Sequence, residues 1–242
     1  QAAIAADEGD ETKAAELDDQ ALKDFNKSIE LDSERWKAFH NRGVSYAMRA
    51  QYAKAISDFD RTIELNSRYA NTWFNRAEIR YELGKFKEAI SDYSQAIRFK
   101  PKDAGAYSGR GHAYFQLGDY RRALSDYDRA VNLDPDNAVS LTNRADAYAN
   151  FQNWPRAAAD YRRAIELDDK NDRAYVGVAW LMATCPDARY RDEKRALQSA
   201  QKAIALDGTG DYRYLDTLAA AQANAGDFEA AQETLAKAIS AA

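Results

Sequence analysis

The feature that most constrains this chain is a period. Arg42, Arg76, Arg110 and Arg144 stand 34 residues apart, as do Asp58, Asp92, Asp126 and Asp160, and Ile63, Ile97, Val131 and Ile165. Repetition at this interval implies a supersecondary unit that cannot bury its apolar face alone and is covered by the next copy. Within residues 36–69, apolar and small residues fall at Phe39, Gly43 and Tyr46, then at Ala55, Phe59 and Ile63. Spacings of three and four place each set on one face of a helix, so the unit reads as helix–turn–helix. Gly84 and Gly118 sit between the paired helices, where a C-cap calls for a positive φ. Lys100-Pro101 and Asp134-Pro135 close units, because proline stops one helix and opens the next.

The residues at these positions resemble the tetratricopeptide repeat. The copy at 104–137 carries Tyr107, Gly111, Tyr114, Gly118, Tyr120, Ala123, Tyr127, Ala130 and Pro135. The copy at 70–103 carries Trp73, Ala77, Gly84, Phe86, Ala89, Tyr93, Ala96 and Pro101, with Arg80 where the family has an aromatic residue. The copy at 138–171 matches at Ala145, Tyr148, Trp154, Ala157, Tyr161 and Ala164. The expected fold is all-α: a right-handed superhelical solenoid of antiparallel helix pairs without a β-sheet. One solenoid over 1–242 is expected, with a partial unit at 1–35, regular units at 36–69, 70–103, 104–137 and 138–171, a variant unit at 172–210 and a last unit at 211–242.

The ends depart from the pattern. Ala21, Phe25, Ile29 and Leu31 match only a second helix, and the acidic stretch Ala2 to Glu16 reads as a frayed helix or a cap. The variant unit begins normally at Tyr175, Ala179 and Met182, but its second helix arrives five residues late, at Ala196, Ala200 and Ala203. Its extended turn, beginning Ala183-Thr184-Cys185-Pro186-Asp187, resembles a unit near the C-terminal end of some bacterial repeat proteins. The last unit carries Leu215, Ala219, Gly226, Phe228, Ala231 and Ala238 and ends at Ala242 with no polar helix after it. Its apolar face, with Leu235 and Ile239, is therefore expected to be only partly covered.

Composition narrows the function classes. A formal charge of −5 argues against nucleic acid and anionic membranes, which favour a basic face. The single cysteine, Cys185, excludes an internal disulfide framework or a multi-thiolate metal site. His40 and His112, the two histidines, occupy different units and different slots, so no metal and no cofactor is expected. No apolar run reaches the roughly 20 residues that span a bilayer. The start at Gln1 without a leader reads as a trimmed chain or a mature form; a cytoplasmic and a periplasmic location fit equally. No phosphate-cradling glycine loop, zinc motif or nucleophile–base pair is present, so the chain is expected not to be an enzyme.

The Arg and Asp columns read as an ion-pair ladder between helices. Pairing within a unit would leave Asp24 over, and pairing Asp with the next unit's Arg would leave Asp160 over; both stay open. Because the family usually has Leu in the Arg slot, Arg110→Leu is expected to be tolerated better than Asp126→Ala or Asp92→Ala. The resemblance also implies that first helices line a concave surface. Asn41, Asn75 and Asn143 each precede a column Arg, with Gly109 interrupting the series. Asn in that slot can bond both backbone groups of an extended peptide, similar to the asparagine ladder in the repeat domain of the O-linked N-acetylglucosamine transferase. Of the slots with which the chaperone-binding branch clamps a carboxylate, held here by His40, Val44, Asn75, Gly105 and Gly109, only Asn75 matches.

The resulting expectation is a protein-protein interaction scaffold that holds an extended peptide or partner protein along its first helices. Its candidate groove residues are His40, Asn41, Phe74, Asn75, Glu78, Tyr81, His112, Phe115, Asn143 and Asp146, with Glu78 and Asp146 favouring a basic partner. Replacing Asn75 and Asn143 together is expected to weaken binding without a large shift in melting temperature. The alternative is a self-assembling structural protein, homo-oligomeric through its uncovered C-terminal end.

Overall fold

The computed structural model describes residues 2–207 and 211–241, with side chains described for 17–207 and 211–240. Thirteen α-helices and no strand occur among the described residues. The helix α1 (Ala2–Leu31) includes the acidic stretch expected to fray or cap, whose side chains lie outside the described residues. Six helix pairs follow: α2 (Trp36–Met48) with α3 (Tyr52–Leu65), α4 (Ala70–Glu82) with α5 (Phe86–Phe99), and α6 (Ala104–Gln116) with α7 (Tyr120–Leu133). Then come α8 (Ala138–Asn150) with α9 (Trp154–Leu167), α10 (Asp172–Thr184) with α11 (Glu193–Leu206), and α12 (Tyr212–Asn224) with α13 (Phe228–Ala241). The helices fall into two compact units, residues 1–113 and 114–242. In the first, α4 packs on α3 and on α2; in the second, α10 packs on α8 and α9, and α12 on α10 and α11.

Local sequence explains the boundaries. Side-chain oxygens of Asp119, Asn137, Asn153, Asn171 and Asp192 each accept a backbone N–H three residues on, satisfying donors that the first helical turn leaves open. Gly84, Gly118 and Gly226 take φ of 70°, 75° and 81° in the turns within pairs. Ala50 and Gln152 take the same left-handed conformation in the equivalent turns, at φ 54° and 56°, so glycine is favoured there but not required. In the variant unit the five added residues lengthen the turn between Thr184 and Glu193 and include a short 3-10 segment, Ala188–Tyr190. Cys185 is buried in that turn within the α8–α10 core.

In three of the four repeats the ladder pairs within the repeat, and it reaches back as well. Arg42 bonds Asp58 through Nε and Nη2 (2.8 and 2.7 Å), Arg76 bonds Asp92 in the same way (2.8 and 2.7 Å), and so does Arg144 with Asp160 (2.7 and 2.8 Å). The remaining Nη1 of each guanidinium points to the preceding second helix. There Arg42 meets Asn26 (2.7 Å), Arg76 meets Asp60, Arg110 meets Ser94 (3.0 Å) and Arg144 meets Asp128 (3.3 Å). For Arg42, Arg76 and Arg144 the geometry resolves the open question about the columns: the fork takes its own repeat's carboxylate, and its third corner takes the residue two positions after the preceding Asp. Asp24 accepts instead from Gln20 at 3.0 Å. Planar guanidinium geometry explains the choice of Arg, since Lys cannot hold a bidentate partner and a third acceptor together.

Candidate functional site

On the first unit, the candidates divide into exposed groups and groups the fold already uses. Asn41 is exposed and Asn75 half-buried, and neither has a hydrogen-bond partner among the described residues. Phe74 stands edge-on to Tyr93, with centroids 5.9 Å apart, and Tyr81 lies between Phe86 (5.4 Å) and His112 (6.2 Å). The exposed residue Glu78 accepts a hydrogen bond from the phenol of the buried Tyr93. Burial and the neighbouring carboxylate hold that phenol far above the ordinary tyrosine pKa, so it remains a donor.

His40 is not a groove residue. It is 8% exposed, bonded through Nδ1 to Thr72 Oγ1 (2.9 Å) and packed on Phe59 and Tyr69. Desolvation lowers its pKa below the usual value, so the folded chain resists the proton that an unfolded histidine takes up near pH 6.5. The His40 contribution to stability is present above that pH and is lost as pH falls below it. The stability lost between about pH 7.5 and 5.5 in urea titrations should therefore shrink in His40→Gln. An unchanged loss would assign the acid sensitivity to other groups.

The second unit carries the concave feature. A cavity of about 480 Å³ opens on the first helices α8, α10 and α12 and is walled by Phe115, Trp154, Tyr161, Trp180 and Tyr214. Two expected residues, Phe115 and Asp146, line it. Asp146 accepts from Tyr161 Oη (2.6 Å) through Oδ1 and from Arg173 Nη2 (2.8 Å) through Oδ2. Its charge is thus balanced within the protein, which corrects the expectation that it selects a basic partner. Asn143 departs from expectation too: it is 1% exposed and accepts from Arg173 Nη1 at 3.0 Å. An Asn so placed cannot bond a ligand backbone, so the asparagine ladder does not extend to this repeat.

The break in that ladder has a steric reason. A Cβ at Gly109 would lie 2.6 Å from the Tyr93 ring, and one at Gly177, in the same repeat slot, 2.3 Å from the Tyr161 ring. Where the second-helix tyrosine runs past the next first helix toward a carboxylate, only glycine fits.

Sequence reasoning missed Trp154, Arg173, Trp180 and Arg213. Trp180 continues the column Val44, Glu78, His112, Asp146 by one more step of 34 residues, so the column itself could have found it. Arg173 and Arg213 each lie two residues after an N-cap, Asn171 and Asp211. Arg173 stands in a 34-residue column that holds the uncharged Asn71, Gly105 and Val139 in the three preceding repeats and so shows no run of charge, and Arg213 follows the added turn, which puts it out of that register. Among the described residues, no group of three or more His, Cys, Asp or Glu side chains is placed to hold a metal ion.

This arrangement of capped helix pairs, ladder and concave cavity defines a class, the helical-repeat proteins. Residues 77–118 match a TPR repeat family and residues 104–137 the tetratricopeptide repeat itself. Residues 77–137 thus carry tetratricopeptide repeats, and helix pairs of the same kind recur along the rest of the described chain. No curated protein matches the sequence. Solved structures share the fold at low identity. YrrB, described as a TPR protein with an unusual peptide-binding site, is 20% identical over 76% of this chain and 93% of its own, with a TM-score of 0.63. A tetratricopeptide repeat protein from Parabacteroides merdae is 19% identical over 85% of this chain and 79% of its own, at TM-score 0.69. MamA is 19% identical over 67% and 95%, at 0.61. No described helix is long and apolar enough to cross a membrane.

Proposed function

We propose that this chain is a non-catalytic scaffold whose first helices hold an extended segment of a partner protein. The observation that carries the reading is the 480 Å³ cavity of the second unit. Its aromatic walls, with Trp180 half exposed, offer the residue types that anchor protein interfaces. Its charged groups Asp146, Arg173 and Arg213 are already held by protein partners, so the pocket is preorganised and selects by shape and apolar area. A peptide-binding site in a structural neighbour of the same fold, YrrB, is consistent with this use of the scaffold. On the first unit, the unpartnered Asn41 and Asn75 would bond the segment's backbone, with Phe74 and Tyr81 beside them.

Peptides selected from a phage-displayed library against the whole chain test the reading. Phe115→Ala with Trp180→Ala should weaken a selected peptide at least tenfold, about 1.4 kcal/mol, with little change in melting temperature. Asn75→Ala should weaken peptides that reach the first unit, whereas Asn143→Ala should lower the melting temperature instead. Selected peptides indifferent to the Phe115 and Trp180 changes would remove the site from this face.

A second reading, self-assembly, is favoured by the exposure of Phe228, Leu235 and Ile239 on one face of α13. It predicts a molecular mass in light scattering that rises with concentration.

A further inference from the structure

Shape and apolar area admit several side chains to the cavity of the second unit, and its charged groups narrow the choice. Two guanidiniums, Arg173 and Arg213, line it against one carboxylate, Asp146. That carboxylate already accepts from Tyr161 Oη at 2.6 Å and from Arg173 Nη2 at 2.8 Å. A Lys or Arg entering the cavity therefore finds no unpaired carboxylate in the wall. An entering carboxylate would have to displace Asp146 from Arg173 or Asp211 from Arg213, whose Nε it holds at 3.0 and 2.8 Å. Bonds of this kind lie in the guanidinium plane and leave its faces open.

Elsewhere the same chain shows what such a face does. Arg76, Arg122 and Arg144 are bonded edge-on to Asp92, Asp119 and Asp160, and each also lies over a ring. The guanidinium carbons stand 5.0 Å from the Trp73 centroid, 4.4 Å from Tyr114 and 5.7 Å from Tyr148. Arg173 and Arg213 are held in the same manner but make no such ring contact among the described residues. Their side chains are 50% and 73% exposed, so Arg213 is the more accessible. The indole N–H groups of Trp154 and Trp180, in the same wall, have no acceptor among the described residues. Positive faces and unspent donors are complementary to the negative face of an aromatic ring. An aliphatic side chain would cover them and return nothing for the water they lose.

We propose that this cavity takes the ring of a tryptophan or tyrosine from the bound segment, its face against the Arg213 guanidinium. The inference rests on the extended-segment reading and names the residue that anchors it. The wall is prepared for a ring: Tyr161 and Tyr214 are fixed at their hydroxyls by Asp146 and by Asp172 (2.9 Å), and Arg173 is fixed by Asn143 as well as Asp146.

N-acetyl amides of single amino acids test it, titrated against the whole isotope-labelled chain and followed by NMR at the indole N–H signals of Trp154 and Trp180. Tryptophan amide should shift both signals. It should bind at least fivefold more tightly than its tetrafluoro analogue, whose fluorines drain the ring face; about 1 kcal/mol of cation–π attraction gives that ratio. Phenylalanine amide should bind more tightly than cyclohexylalanine amide, although the saturated ring is the more apolar. Arg213→Met keeps an unbranched side chain at an exposed position, where thermal melts should match the parent, and should abolish both preferences. Absence of any shift with tryptophan amide, cyclohexylalanine amide binding as well as phenylalanine amide, or preferences unchanged in Arg213→Met would each overturn the inference. Selected peptides that still depend on Phe115 and Trp180 after such a result would leave the groove itself standing, so the two failures are distinguishable.

Discussion

Asp92→Ala should lower the melting temperature by roughly 10 °C, the largest single loss in the ladder. Asp92 is 1% exposed and receives three charged hydrogen bonds, two from Arg76 at 2.8 and 2.7 Å and one from Arg80 at 2.6 Å. Removing a buried ion's partner typically costs about 3–5 kcal/mol, because the remaining charge has lost its solvation without compensation. After the change, Arg76 retains only Asp60, whose side chain is 49% exposed. Arg76→Leu is the informative comparison. It leaves Asp92 paired with Arg80, and it places an apolar group in a slot flanked by the Trp73 ring, whose centroid lies 5.0 Å from the guanidinium. The loss should be less than half that of Asp92→Ala. Thermal melts of both variants at low and moderate salt decide the matter, and an Arg76→Leu loss equal to or greater than the Asp92→Ala loss would show that the guanidinium's third bond dominates.

The fold was legible because its determinants repeat. Each unit states the same helix faces, caps and turns, and the positions of Ala55, Ala89, Ala123 and Ala157 place helix packing at a fixed interval. The exposure of Leu235 and Ile239 was legible for the same reason, since nothing after α13 supplies a covering helix among the described residues. The site was only partly legible. Columns identify which residues share a face, but not whether a side chain's hydrogen bonds are already used. Asn75 and Asn143 look alike in sequence; Arg173, whose column holds the uncharged Asn71, Gly105 and Val139 in the three preceding repeats, makes one structural and leaves the other open. Likewise His40 shares the first-helix face but is closed over by Phe59 and Tyr69. The ladder's direction was undecidable from spacing because Arg42, Arg76 and Arg144 each reach helices on both sides, at 16 residues after and 16 before.

The glycines offer the second large effect, because two kinds that look equivalent in sequence should behave oppositely. Gly84 sits at φ 70°, and a Cβ there would have nothing within 4 Å; Ala50 occupies the equivalent turn at φ 54°. Gly84→Ala should therefore cost only the left-handed conformation, about 1 kcal/mol. Gly177 is helical, and a Cβ there would meet Tyr161 Cε1 and Cζ at 2.3 Å. The ring has little room to yield: it is 3% exposed within the α8–α10 core, and its hydroxyl is held by Asp146 at 2.6 Å. Overpacking of this kind costs about 1–3 kcal/mol, and displacing the ring adds the lost hydrogen bond to Asp146, about 1 kcal/mol. The better helix propensity of Ala returns at most about 1 kcal/mol. Gly177→Ala should thus lose about 2 kcal/mol, visible as a fall of roughly 6 °C, and should weaken groove ligands because Tyr161, Asp146 and Arg173 all wall the cavity. A double-mutant cycle isolates the cause. In a Tyr161→Ala background the methyl meets open space, so Gly177→Ala should become neutral or stabilising. Additive losses in that cycle would mean that the clash is not what keeps glycine at this position.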